Sequence, residues 1–151
     1  MIEIVRPNPS HAPIMKTFFS AINVKDITRH FSPHEFTTEY AEYICNYNGL
    51  DEYYILIFDD LVIGYGMLRG WDEGYTIPSL GLCMLPGYNG KGLCHNLIIH
   101  MMSVAKMRGC DEVMMKVDKD NLSSIILCHK VGFHYSEHDE RYYRGRLKLR
   151  T

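Results

Sequence analysis

The sequence predicts an α/β domain built on one mixed β-sheet. Three observations carry this. A short alternating strand is followed by two segments with helical spacing, between about His11 and Tyr47. Apolar, β-rich runs between Glu52 and Leu85 then read as an antiparallel meander. The rest runs strand, helix, strand, short helix, strand, an order that needs a crossover connection in the second half of the sheet. The 151 residues, 46% hydrophobic and 23% charged, suit a single domain over 1–151 with an ordinary core and exclude a disordered chain.

The elements follow from local signals. Ile2 to Arg6 alternates as a strand and Pro7-Asn8-Pro9 stops it. Ser10 is placed to cap a helix to about Ala21. Residues 22–36 are irregular and rich in His and Phe, and Thr37 or Thr38 caps a second helix that Asn48-Gly49 ends. Glu52 to Phe58 and Leu61 to Leu68 form a hairpin about Asp59-Asp60. After the loop Gly70–Gly74 comes a strand from Tyr75 to Leu85, with Pro78 and Gly81 inside it. Such residues mark a bulge or a place where another backbone approaches. Leu93 to Arg108 is an amphipathic helix closed by Gly109. Glu112 to Val117 is a strand, Asn121 to Lys130 a short helix, and Arg141 to Leu149 the last strand.

Sixteen Lys and Arg against eighteen Asp and Glu give a net charge of −2. Binding to nucleic acid rests on phosphate neutralisation by excess cations, so no nucleic-acid partner is expected. No run approaches the roughly 20 apolar residues of a membrane helix, so no membrane partner is expected either. The first residues lack a basic and then apolar leader pattern. Five cysteines, an odd number without a C-x-x-C pair, argue against a disulfide framework and against a metal site. These features together predict a cytoplasmic protein.

The informative segment is Met84-Leu85-Pro86-Gly87-Tyr88-Asn89-Gly90-Lys91-Gly92-Leu93-Cys94. Glycines between a strand and a helix aim backbone N–H groups at one point, and the helix N-terminus adds partial positive charge. This suits a phosphate, although an ordinary left-handed turn also calls for glycine. A P-loop is excluded, because Gly90-Lys91 is followed by Gly92 and not by Ser or Thr. The dinucleotide pattern fails as well, with His95 in place of its third glycine.

Asn89-Gly90-Lys91-Gly92-Leu93-Cys94, taken with Asn121, Ser124, Lys130, Gly132 and Phe133, resembles the two signatures of the GNAT superfamily of N-acetyltransferases. The resemblance implies the GNAT fold: a mixed, twisted sheet of six to seven strands with a splayed central strand and about four flanking helices. It implies acetyl-CoA as cosubstrate. Backbone groups of Leu82, Cys83 and Met84 would pair with the pantetheine arm, the turn Asn89, Gly90, Lys91, Gly92, Leu93 and Cys94 would hold the pyrophosphate, and Asn121 and Ser124 would lie alongside. Two positions depart from the pattern: Asn89 stands where Arg or Gln is usual, and Cys94 where a smaller residue is.

The implied reaction is direct attack of an amine on the thioester. The family's usual acid, a tyrosine four residues before the glycine of the Gly-Phe close, is Cys128 here. It is either a weak proton donor or a core residue, and packing is the favoured reading. His34 and Glu73 are the candidate bases, with a water relay as the alternative. Phe31, Trp71, Tyr75 and Ser79 are the candidate acceptor contacts. The expected acceptor is a small-molecule amine, with an amino sugar one candidate, and a homodimer is compatible with the resemblance. The competing functions are a non-catalytic CoA-binding module and an acyltransferase for another acyl group or a protein amine.

Overall fold

Seven strands form one sheet in the order β1-β2-β3-β4-β5-β7-β6 in the computed structural model, which describes residues 1–90 and 92–149. They are β1 (Ile2–Val5), β2 (Glu52–Phe58), β3 (Leu61–Arg69), β4 (Ser79–Met84), β5 (Glu112–Asp118), β6 (His134–His138) and β7 (Tyr142–Lys148). Every pairing is antiparallel except β4 with β5. The helices are α1 (Ala12–Ile22), a single turn α2 (Lys25–Thr28), α3 (Thr38–Cys45), α4 (Leu93–Met107) and α5 (Leu122–Val131). This is the expected mixed α/β sheet.

Alternation along the strands divides two cores. Tyr65 and Met67 of β3 face α1 and α3, where they pack with Met15, Phe18, Phe19, Ile22, Phe36 and Ile44. Leu68, with Leu80 of β4 and Val113, Met115 and Val117 of β5, faces α4 and α5 and meets Leu97, Met101, Cys128 and Phe133. Close approach on this second face requires a glycine. A Cβ at Gly66 would stand 2.8 Å from the Met101 side chain and 3.2 Å from Leu97. Gly66 thus lets α4 lie against β3 at the centre of the sheet.

Local signals account for most boundaries. Thr37 accepts a hydrogen bond from the Tyr40 N–H and starts α3. Asp59 and Asp60, both left-handed, make the β2–β3 turn. At the first helix Asn8, not Ser10, is the cap. Its carboxamide oxygen accepts from the Ser10 N–H and opens a short 3₁₀ turn, Pro9–His11, that runs into α1. Pro9 takes the first helical position, where its missing N–H costs nothing.

Two strands depart from expectation. The one expected from Tyr75 begins only at Ser79, because the Tyr75 N–H turns back to the Gly70 carbonyl. β6 has no counterpart in the pattern: it is a short edge strand, polar and mostly exposed. There is no bulge at Gly81, since β3 and β4 stay in register through it. The register shift lies instead in β2, between Leu56 and Ile57. Nor is it a backbone that approaches Gly81: the nearest neighbour is the ring of Phe31, 3.3 Å from where a Cβ would stand.

Candidate active site

The parallel pair β4–β5 breaks almost as soon as it forms. Its ladder contains one residue pair, Ser79 with Met114, fastened by the Met114 N–H to the Pro78 carbonyl at 2.9 Å. Beyond Ser79 the two strands part. The β4 edge from Leu80 to Met84 then has no strand partner among the described residues, although β3 pairs with its other edge throughout. An unpaired edge in the middle of a sheet is a row of backbone donors and acceptors open to a ligand.

A cleft of about 940 Å³ occupies the gap. Leu82, Cys94, Asn121, Ser124 and Cys128 line one part of it, and Phe31, Glu73, Tyr75 and Ser79 another. Of the residues singled out in the sequence, these nine are therefore brought together. Asn89, Gly90 and Leu93 lie about the N-terminus of α4, whose first turn reaches the cleft through Cys94. There Gly90 and Gly92 both take φ +77, with no atom within 4 Å of a would-be Cβ. Gly92 caps α4 and no side chain caps it, so the first N–H groups of the helix lack an intrahelical acceptor. Lys91 lies outside the described residues. The Cys83 side chain is buried toward α1 and α3 and that of Met84 packs over Gly64.

On the catalytic and acceptor side two expected residues, Trp71 and His34, do not line the cleft, and on the cosubstrate side neither do Cys83, Met84, Asn89, Gly90, Gly92 and Leu93. Trp71 lies beneath Arg108, whose guanidinium carbon is 3.5 Å from the ring centroid, and it packs against the α4 side. His34 stacks on Tyr40 at 3.8 Å, among Phe19 and Phe36. Its Nδ1 donates to the Glu35 carbonyl at 2.7 Å, which leaves Nε2 to accept from the Tyr65 hydroxyl, also at 2.7 Å. Burial lowers its pKa to about 4, against the opposing pull of the Glu35 carbonyl. A neutral ring with both nitrogens engaged holds a core together and is poorly placed to collect a substrate proton.

Glu73 ends a short 3₁₀ turn, Trp71–Glu73, held by a buried carboxylate. Asp51, 6% exposed, accepts from the N–H groups of Gly70, Trp71 and Asp72 at 3.0, 2.8 and 3.2 Å. Asp72 is tied down too: it accepts from the Tyr47 hydroxyl and the Leu50 N–H, and these bonds hold its carboxyl below the usual range. The loop that presents Glu73 is thus fixed from the β2 side.

The Cys128 thiol is buried beside the Tyr135 hydroxyl, and burial pushes its pKa up to about 11. Cys94 is pushed up to about 12, again by burial. Both are thiols at neutral pH, and neither is an activated nucleophile. Among the described residues, no group of three or more His, Cys, Asp or Glu is placed to hold a metal ion.

The sequence reading missed the cations. Arg29, Arg69, Lys116, Arg141, Arg144 and Arg146 all line the cleft. A signal was present in β7, where Arg144 and Arg146 sit two apart and so share a face.

The comparisons agree with this geometry. An acetyltransferase of the GNAT family from Streptococcus pneumoniae superposes with a TM-score of 0.80 at 16% identity, over 98% of this chain and 99% of that one. The spermidine N-acetyltransferase of Vibrio cholerae, solved with CoA and spermine, gives 0.78 at 14% identity, over 98% and 95%. Such identities speak for the fold alone. An acetyltransferase of Photorhabdus laumondii, plu1384, is 26% identical over 68 residues, 45% of this chain, and the match spans about half (48%) of that relative's length. Residues 21–133, which hold the splayed strand, the glycine turn and the Asn121 helix, match the acetyltransferase (GNAT) family profile, and the chain belongs to that family.

Proposed function

We propose that the chain transfers an acetyl group from acetyl-CoA to the primary amine of a small molecule by direct attack on the thioester. The observation that carries this is the free β4 edge in a cleft that ends near an uncapped, glycine-lined helix N-terminus. The residues present fit the cosubstrate: the open space over Gly90 and Gly92 lets a phosphate approach the backbone, and the β4 edge offers a strand-like partner to an extended arm. When bound, acetyl-CoA supplies an acetyl group already activated as a thioester.

The roles of the chain's own residues follow. Backbone groups of Leu82, Cys83 and Met84 hold the extended arm, and a β4 N–H polarises the carbonyl. The turn from Asn89 to Cys94 takes the pyrophosphate, and Asn121 and Ser124 border the arm. Asn89 is shorter than the usual Arg or Gln and uncharged, so backbone N–H groups carry most of the phosphate binding there. As the amine nitrogen bonds to the carbonyl carbon, the C–S bond breaks, the amine releases a proton and the thiolate takes one. Glu73, on the acceptor side, receives the amine proton directly or through water. Cys128 packs the wall near the departing sulfur.

An amino sugar is one acceptor that a cleft of this volume accommodates. Five free thiols support a reducing compartment, the cytoplasm. The test is thiol release from acetyl-CoA across an amine library, with binding followed separately. Release with at least one amine is expected, and Glu73→Gln should lower it most at low pH. Binding with no release from any amine would favour a non-catalytic CoA-binding module. Faster release from a longer acyl-CoA would favour a different donor.

A further inference from the structure

The chain as a whole carries −2, yet six cations line the cleft and Glu73 is the one carboxylate among the described lining residues. The sheet register explains how they gather. Arg69 pairs across the ladder with Ser79, Ser79 with Met114, and Met114 with Arg146, a single row over β3, β4, β5 and β7. Lys116 and Arg144 form a neighbouring pair on β5 and β7. Alternation places all of these on the α1–α3 face of the sheet. Met67, two residues before Arg69, faces that core, whereas Met115, Val117 and Leu147 face the α4–α5 core. The row starts where β4 and β5 part, so the cations sit within one or two residues, each a rise of about 3.3 Å, of the point where the strands open.

Their partners separate them into two groups. Arg141 is committed to Asp118 and to the Arg29 carbonyl. Arg144 and Arg146 reach Asp139 and Glu112 in half-exposed pairs of the kind that exchange easily. Arg69, Lys116 and Arg29 have no carboxylate partner among the described residues. The part-buried Arg69 donates Nη1 to the Pro33 carbonyl at 2.9 Å, which steadies it and leaves the rest of its fork unpaired. Lys116 stands over the Tyr142 ring, 4.4 Å from the centroid. A half-buried guanidinium without a counter-ion, in a concave site also lined from the same sheet face by the exposed Lys116 ammonium, attracts an anion.

We propose that the acceptor amine carries an oxyanion, a carboxylate or a phosphate, close to its reacting nitrogen, and that Arg69, Lys116 and Arg29 hold that group. This rests on the acetyl-transfer reading above. The pyrophosphate turn belongs to α4, on the other side of the sheet, so these cations serve the acceptor and not the cosubstrate. A polycationic acceptor is repelled by the same lining.

The test uses matched acceptors and two variants. α-Amino acids are compared with their amides, and phosphorylated amino sugars with the unphosphorylated sugars. The wild type should favour the charged member of one pair by at least roughly tenfold in kcat/KM, the discrimination expected of one charge-assisted contact. The pair that responds identifies carboxylate or phosphate. Lys116→Gln should erase most of the preference through KM, with the Kd for acetyl-CoA unchanged. It breaks no hydrogen bond within the protein, so it tests the charge without unfolding the chain. Arg69→Gln should do the same, and Arg69→Lys should keep part of the preference. Equal rates within both pairs, or weaker acetyl-CoA binding in the variants, would overturn the proposal. A readout independent of turnover is thermal stabilisation of the CoA-saturated protein by inorganic phosphate or acetate. Stabilisation that Lys116→Gln removes supports the anion subsite even if no amine is acetylated, in which case the acetyl-transfer reading alone fails. No stabilisation by either anion in the wild type sinks the subsite.

Discussion

His34→Gln separates a core histidine from a catalytic one. In the fold its pKa falls from 6.5 to about 4, chiefly because the ring is buried among Phe19, Phe36 and Tyr40. A depressed histidine pKa means that the unfolded chain binds the proton more readily. His34 therefore contributes stability in full above pH 6.5, and that contribution drains away as pH falls toward about 4. The whole gap corresponds to ~3 kcal/mol, which screening of a part-buried ring reduces to about 2 kcal/mol. At pH 7 the glutamine variant should be less stable by roughly 1–3 kcal/mol, because the amide, although it can still accept from the Tyr65 hydroxyl, lacks the ring that stacks on Tyr40 and packs against Phe19 and Phe36. Between neutral pH and about pH 4.5 that deficit should shrink by about 2 kcal/mol, since only the wild type has this proton to take up. Urea unfolding at a series of pH values, followed by the fluorescence of the single tryptophan, Trp71, measures both numbers. A deficit that stays constant with pH refutes the neutral, buried ring. A variant that folds normally yet loses turnover about a hundredfold returns His34 to the reaction.

Three further outcomes are expected. Acetyl-CoA should raise the melting temperature of the wild type, and Gly92→Val should abolish the rise by filling the space over the α4 N-terminus. Gly109→Val, with a similar φ of +84 and the same open surroundings, carries the same backbone strain and should keep the rise. Asp51→Ala should cost about 3 kcal/mol in denaturant unfolding, because three N–H groups lose a charged acceptor, and Asp51→Asn should recover most of it. Cys128→Ala should cost about 1 kcal/mol and leave turnover nearly normal if the thiol only packs. Cys128→Ser finds the Tyr135 hydroxyl beside it, so it should fold as well as the alanine variant. A rate loss of roughly a hundredfold in a folded Cys128→Ala that still binds acetyl-CoA would make the thiol the proton donor.

What the chain discloses before folding is whatever physics acts over a few residues. Thr37 as a cap, Asp59-Asp60 as a hairpin turn, the glycines before Leu93 and the strands flanking them are all local, and all are legible. β6 was hidden because an edge strand facing water has no alternation to display, and His134–His138 is polar nearly throughout. The fate of His34 was hidden for a different reason. A histidine in a loop rich in aromatics has the composition of a pocket wall and of a core alike. The deciding partner, Tyr65, is 31 residues away on β3. Asp51 shows the same limit: nothing near it in sequence says that it will collect three N–H groups from residues 70–72. The cationic row is the clearest case. Arg69, Lys116, Arg144 and Arg146 come from three strands, and a slip of one residue in the register of any of them would turn its charges to the opposite face. In the sequence they are dispersed through a chain with a slight acidic excess. They become one site only when β4 and β5 meet at a single pair and then part.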